Sequence, residues 1–187
     1  MRIREQRVCI HCRALGVKII ARRHKNFFYC PACKKISTRF FEIAGKTKVT
    51  KTQKGLKHYS AGALIERDGK FLISKRTFYP YVYNVIGGHV DTGEGILQAL
   101  KREVREETGL RVKFAKLIYA GIIFPDRCSR GVDIHDWHLY LVQTLGKVKI
   151  NRHESVTLRW LTKKQMARLP FNPPVEFIFR KIKFFKT

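Results

Sequence analysis

Acidic residues are scarce in this chain. Its 187 residues carry 14 Asp or Glu against 39 Lys or Arg, a formal net charge of +25. So one-sided a surface disfavours basic partners and attracts polyanions, nucleic acid above all, although the same charge also serves plain solubility. Long apolar runs are missing too. None approaches the roughly 20 residues of a membrane-spanning helix, so no membrane partner is expected. The opening MRIREQRVCIHC is basic but lacks the apolar core of a secretory signal. Cysteines number five, four of them in two close pairs. Pairs of this kind hold metal more often than disulfides in a reducing compartment, so a cytoplasmic location is expected. A hydrophobic fraction of 44% with 13 Phe suffices for a globular core. The length allows one domain, or a small one followed by a medium one.

The charge is uneven. Residues 1–58 hold 16 Lys or Arg and only two Glu. Within residues 1–45 stand C-x2-C (Cys9, Cys12), then seventeen residues, then C-x2-C (Cys30, Cys33). Two thiolates separated by two residues can be offered by one tight turn to one side of a tetrahedral ion, and a second such turn closes the shell. Runs rich in β-formers, Val17 to Ala21, Phe27 to Tyr29 and Ile36 to Ile43, predict short strands between and after the pairs. The segment resembles a zinc ribbon with a structural Zn2+, which would supply much of its folding free energy. His11 lies inside the first knuckle and reads as solvated. Cys128 is distant and reads as a free thiol. Aromatics interleave with basic residues (Arg23, Lys25, Phe27, Phe28, Tyr29, Arg39, Phe40). That mixture suits RNA contact, or else the Phe residues fill the ribbon's own core.

Residues 46–58 hold Lys46, Lys48, Lys51, Lys54 and Lys57 with no acid and read as an extended basic linker. Residues 59–187 form the remaining domain. Its start, YSAGALIERDGKFLISKR, predicts two strands joined by a hairpin turn at Asp68-Gly69.

The few acids are not scattered. From Gly87 the chain reads GGHVDTGEGILQALKREVREETGL. The Gly pair and Thr92-Gly93 mark a loop, and Glu94 to Thr108 predicts a helix whose Leu97, Leu100 and Val104 face a core. Gly109 stands where a helix end needs a left-handed residue. Glu103, Glu106 and Glu107, at i, i+3 and i+4, share one face. Three crowded carboxylates repel one another unless a cation joins them. Hard divalent ions take such oxygens, and Mg2+ in particular binds through a few carboxylates plus substrate phosphates.

With Gly88, Glu94, Arg102, Glu103, Val104, Glu106, Glu107, Gly109 and Leu110 all in place, residues 88–110 resemble the Nudix box. The resemblance implies an α/β (α+β) fold, a Nudix αβα sandwich. It implies an enzyme, a pyrophosphohydrolase that cleaves a phosphoanhydride bond in a nucleoside diphosphate derivative. It also implies Mg2+ or Mn2+ held by Glu103, Glu106 and Glu107, with the Gly87 carbonyl as a further ligand. Arg102 is expected to pair with an acid, perhaps Glu94, and so orient the box. The general base stays open among Glu103, Glu106, Glu154 and a loop residue such as His135. Arg76, at the end of a predicted strand, is a candidate for substrate phosphate. The loop FPDRCSRGVDIHD, which includes His135, is the expected specificity element; a strand from Trp137 to Gln143 follows it. Lys163 to Leu169 and the stretch after Pro174 read as helices.

A zinc ribbon ahead of a Nudix domain is similar to the NADH pyrophosphatase group, which also acts on NAD-capped RNA. The stretch AGIIFPDRCSRG shares only fragments with that group's SQPWPFPxS. The expected substrates are therefore NADH, ADP-ribose, a dinucleotide or the 5′ end of a capped RNA. RNA would be held by the basic ribbon and linker, and a homodimer is open. The rival reading is a nucleic-acid or ribosome-binding protein that keeps the Nudix fold as a scaffold.

Overall fold

A computed structural model describes residues 6–22, 25–43, 47–77, 82–128, 130–153 and 155–186. The first part contains β1 (Gln6–Val8), β2 (Lys18–Arg22), β3 (Lys25–Tyr29), β4 (Ile36–Ser37) and β5 (Phe41–Ile43). Strands β2, β3 and β4 form one antiparallel sheet, and β1 pairs with β5. Each cysteine pair is followed by a left-handed residue, Arg13 (φ 64°) or Lys34 (φ 58°), that turns the chain back on itself. Arg13 N–H and Lys34 N–H then donate to the carbonyls of Cys9 and Cys30. The core here is small: Cys9, Val17, Phe28, Cys30 and Phe40. Phe28 and Phe40 pack with ring centroids 4.7 Å apart, so these two rings serve the ribbon's interior rather than an exposed stacking platform.

The lysine-rich stretch that reads as a linker holds two strands, β6 (Val49–Thr52) and the start of β7 (Gly55–Arg67). They form a hairpin with Thr52 opposite Gly55. Val49 and Lys51 share the exposed side of β6, Thr50 and Thr52 its half-buried side, and Lys57 pairs with Asp136 at 2.9 Å, so pairing into a larger sheet outweighs the lysines' mutual repulsion.

That larger sheet is built on β7. Strand β8 (Lys70–Arg76) returns along it through the Asp68-Gly69 turn, where both residues have positive φ (52° and 69°), the conformation a two-residue hairpin demands. Strand β9 (Tyr83–Asn84) pairs with β8. Strand β10 (Ile86–His89) pairs antiparallel with the middle of β7. Helix α1 (Ile96–Thr108) follows, then β11 (Arg111–Ile123) and β12 (Ile134–Leu145), which runs parallel to β7. Strand β13 (Ser155–Leu161) pairs with β8, and α2 (Lys163–Met166) and α3 (Pro173–Lys181) close the chain. β12 begins three residues before the expected Trp137, which takes His135 out of the loop and into a strand.

The sheet is covered on both faces. One face carries Ala61, Ala63, Ile65 and Ile86 against Leu100 and Val104 of α1. The other carries Leu64, Ile73, Trp137 and Leu139 against Val175, Ile178 and Phe179 of α3 and Phe184 beyond it. Each fully buried side chain of this size contributes about 1.5–3 kcal/mol. The expected αβα sandwich is thus present. In α1, Leu100 and Val104 are buried as the periodicity requires, but Leu97 is 43% exposed and Ala99 takes its place. The helix starts at Ile96 rather than Glu94. Glu94 is held outside it, its Oε2 accepting from the Asp91 amide at 2.9 Å.

Candidate active site

Arg102 organises the acidic face of α1. Its Nε and Nη2 donate to the two oxygens of Glu94 at 2.9 and 3.0 Å. Nη1 donates to Glu103 Oε1 at 2.7 Å and to Glu106 Oε2 at 3.2 Å, and Nη2 reaches the His89 carbonyl at 3.0 Å. The fork to Glu94 holds that carboxyl below its ordinary range, the hydrogen bond from Arg102 being the main cause. The same fork pushes the guanidinium pKa up. One cation thus ties three acids to the backbone of β10. Arg102 pairs with Glu94 and also touches Glu103 and Glu106 on the same helix face.

Glu107 lies deeper. It is buried, and its Oε1 accepts from the Gly87 amide at 2.8 Å. Glycine is required at Gly87, where a Cβ would meet backbone, while at Gly88 a Cβ would meet the far end of the Glu103 side chain. Gly87 has φ 147°, and a Cβ there would stand 2.1 Å from the Ala61 carbonyl oxygen; a Cβ on Gly88 would stand 2.5 Å from Glu103 Oε1. The glycine pair brings β10 close to β7 and leaves the space that Glu103 fills. Gly109, at φ 71°, ends α1, and its amide donates to the Arg105 carbonyl.

The four ribbon cysteines converge. Cys9 Sγ is 3.6 Å from Cys33 Sγ, and Cys12 Sγ is 3.6 Å from Cys30 Sγ. All four sulfurs lie within 4.8 Å of one another. A tetrahedral zinc with Zn–S of about 2.3 Å spaces its sulfurs by about 3.8 Å, so this donor set fits that ion. His11 is exposed, and its amide donates to Cys9 Sγ at 3.3 Å.

His135 stands elsewhere than expected. It is only 3% exposed and groups with His58, His89 and Cys128. His89 Nε2 and His135 Nε2 are 3.3 Å apart, and Cys128 Sγ is 3.7 Å from His58 Nδ1. Burial lowers the pKa of His58 to about 3 and lowers those of His89 and His135, so the rings are neutral at pH 7. The register explains the convergence: His135 of β12 lies beside His58 of β7, and His89 of β10 lies beside Ser60, two residues on. The sequence reading missed His58 and His89 and took Cys128 for an isolated thiol. The only linear signal was the spacing Cys128-x6-His135.

Of the remaining candidates, Arg76 ends β8 opposite Ser155 of β13. Glu154 lies outside the described residues. Tyr83 packs beside Phe171, with ring centroids 6.5 Å apart.

The loop that carries Cys128 is fastened to the ribbon. Arg39 donates to the carbonyls of Cys128 (3.2 Å) and Val132 (3.0 Å) and pairs with Asp133 at 2.8 Å.

Residues 56–181 match the family model of the NUDIX domain. The chain belongs to the Nudix family. An NAD-capped RNA hydrolase NudC of Stutzerimonas stutzeri is 30% identical over 107 residues, 54% of this chain and 31% of that protein. A CTP pyrophosphohydrolase of Escherichia coli is 28% identical over 114 residues, 59% of this chain and 80% of that protein. An ADP-ribose pyrophosphatase of Methanocaldococcus jannaschii is 40% identical over 72 residues, 36% of this chain and 41% of that protein. The match therefore spans under a third of the length of the S. stutzeri relative. Among solved structures, a MutT NUDIX hydrolase from Burkholderia pseudomallei shares the fold at TM-score 0.58 and 23% identity, covering 66% of this chain and 96% of that one. No helix among the described residues is long and apolar enough to cross a membrane.

Proposed function

We propose that this protein is a divalent-metal-dependent hydrolase of the phosphoanhydride bond in a nucleoside diphosphate derivative. The substrates in view are NADH, ADP-ribose, a dinucleotide, or the 5′ end of a capped RNA. The observation that carries the reading is the gathering of Glu103, Glu106 and Glu107 at β10 by Arg102 and the Gly87 amide. The donor set suits Mg2+ or Mn2+: hard carboxylate oxygens on one helix face, with a cradle over Gly88 that a Cβ would fill. Glu103, Glu106 and Glu107 would hold the ion, with the Gly87 carbonyl as a further ligand. Once bound, it supplies charge screening for the diphosphate and a lowered pKa for an attacking water.

The chain's own residues do the positioning. Arg102 holds Glu103 and the more exposed Glu106 on one side of α1, and its fork to Glu94 fixes the loop that leads into α1. Glu107, clamped by the Gly87 amide, sets the separation between helix and strand. The proton acceptor is a carboxylate in this scheme, Glu103, Glu106 or Glu154. His135 is buried on the opposite face of the sheet, beside His58 and His89, which supports a carboxylate rather than this imidazole as the base. In the ribbon, the four cysteines hold a structural Zn2+, because a closed four-thiolate shell leaves no place for water.

The proposal is tested by screening NADH, ADP-ribose, dinucleoside polyphosphates, nucleoside triphosphates and 5′-capped RNA with Mg2+ or Mn2+. Glu106→Gln and Glu107→Gln should each lower turnover by about 10²-fold or more; near-normal rates would remove the metal assignment. The charge of +25 favours a second reading, a nucleic-acid or ribosome-binding protein with this fold as scaffold. Salt-dependent RNA binding without hydrolysis of any nucleotide would establish that reading instead.

A further inference from the structure

We infer that His58, His89, Cys128 and His135 form a second metal site, of the zinc class, on the face of β10 opposite the acidic helix. The inference is independent of the proposed hydrolysis. It rests on the grouping of four soft or borderline donors in the folded chain and on what they otherwise lack.

Placement comes from the sheet. Registered neighbours point to the same side, and alternate residues of a strand do likewise. His135 beside His58, and His89 beside Ser60, therefore send three imidazoles to one face. Cys128 comes down on that face from the loop between β11 and β12. Gly88, the residue before His89, faces the other way, towards Glu103. One short strand thus has an acidic site on one side and a histidine–thiol site on the other.

The distances suit an ion. Zn–N of about 2.0–2.1 Å and Zn–S of about 2.3 Å set tetrahedral edges of about 3.3 Å for N···N and about 3.6 Å for N···S. The His89–His135 pair is at 3.3 Å and the Cys128–His58 pair at 3.7 Å. All four donor atoms lie within 4.8 Å of one another, so ring rotations of about an ångström close the shell. The chemistry selects the ion. Imidazole and thiolate favour zinc over Mg2+ or Ca2+, which take oxygen. Asp126 stands behind the site: its Oδ2 lies 3.2 Å from His135 Nδ1, outside hydrogen-bond geometry, and accepts from Trp137 Nε1 at 2.7 Å. A carboxylate behind a ligating histidine orients the ring and raises its basicity. Without an ion the cluster is a poor arrangement. His58 and His135 are buried, and burying polar rings with few partners costs free energy.

Four protein donors leave no open position, so the site is structural. Its ligands come from β7, β10, β12 and the 124–133 loop, and one ion would pin that loop over the sheet and fix the strand that carries the Gly87 contact to Glu107.

The test counts zinc in the full-length protein, purified with zinc and passed through a desalting column. Two equivalents per chain are expected. Cys128→Ala should retain one, with the ribbon's four-thiolate cobalt spectrum intact after exchange with Co2+. One equivalent in the wild type would overturn the inference. So would a second equivalent that survives Cys128→Ala and His58→Ala but is lost in Glu106→Gln, since that ion would sit on the acidic helix. Should the variants fail to fold, cobalt titration of the wild type decides. A second equivalent with a nitrogen-rich tetrahedral spectrum supports the site, and saturation at one equivalent refutes it.

Discussion

Replacing Arg102 by Met removes five hydrogen bonds and leaves three carboxylates facing one another. The guanidinium is 27% exposed, Glu94 15% and Glu103 16%. Breaking a fully buried pair costs about 3–5 kcal/mol, and an exposed one contributes under about 1 kcal/mol. Partial burial places Arg102→Met between them, at about 2–3 kcal/mol of unfolding free energy at pH 7. The pH dependence carries a sign. The Glu94 carboxyl is held below its ordinary value of 4.5, mainly by the hydrogen bond from Arg102. A depressed folded-state pKa contributes stability that is fully present above the unfolded value and lost as pH falls through the folded one. The penalty of Arg102→Met should therefore be full near neutrality and shrink as the pH drops below about 4.5. Urea denaturation of both proteins at pH 7 and at stepped acid values, without added divalent metal, measures this. A double-mutant cycle with Glu94→Gln should show a coupling of about 1–2 kcal/mol. A penalty that stays constant with pH, or a coupling near zero, would refute the role given to the fork.

Gly87→Ala places a Cβ 2.1 Å from the Ala61 carbonyl oxygen, which is backbone and cannot swing away. It should cost more than about 2 kcal/mol, whereas Gly93→Ala, with nothing within 4 Å, should cost about 1 kcal/mol from its positive φ alone; thermal melts separate them. Phe184→Ala empties a place against Phe179 and Phe71, at centroid distances of 4.6 and 5.2 Å, and should lower stability by about 3 kcal/mol. A loss below about 1 kcal/mol would show that the last turn of the chain contributes little to the core. Arg39→Gln should leave the ribbon folded and raise amide exchange across residues 126–133, with a stability loss of about 1–2 kcal/mol; unchanged exchange there would mean the loop stands without the ribbon.

Local signals were legible in the sequence and registers were not. The two C-x2-C pairs, the Asp68-Gly69 turn and the end of α1 at Gly109 depend on residues close together in the chain, and each appears where the sequence places it. The spacing of Glu103, Glu106 and Glu107 set them on one helix. It did not show that Glu107 turns inwards to Gly87 while Glu106 stays out. The basic stretch at 46–58 reads as a linker on its charge, yet Val49–Thr52 folds back on Gly55–His58 as a hairpin that mixed Lys and Thr do not announce. His58, His89 and His135 are separated by 31 and 46 residues, and only the pairing of β7 with β10 and β12 brings them to one face. A one-residue slip of either strand would send one histidine to the other side, and no linear pattern records that choice.

The three contacts of Arg39 have a consequence for length. Because they fasten the ribbon to the loop beside the sheet, the ribbon's basic surface and the acidic end of α1 are held at a fixed bearing, not joined by a slack cord. The distance between the two is thereby set by the fold, and removing the Arg39 side chain should loosen it.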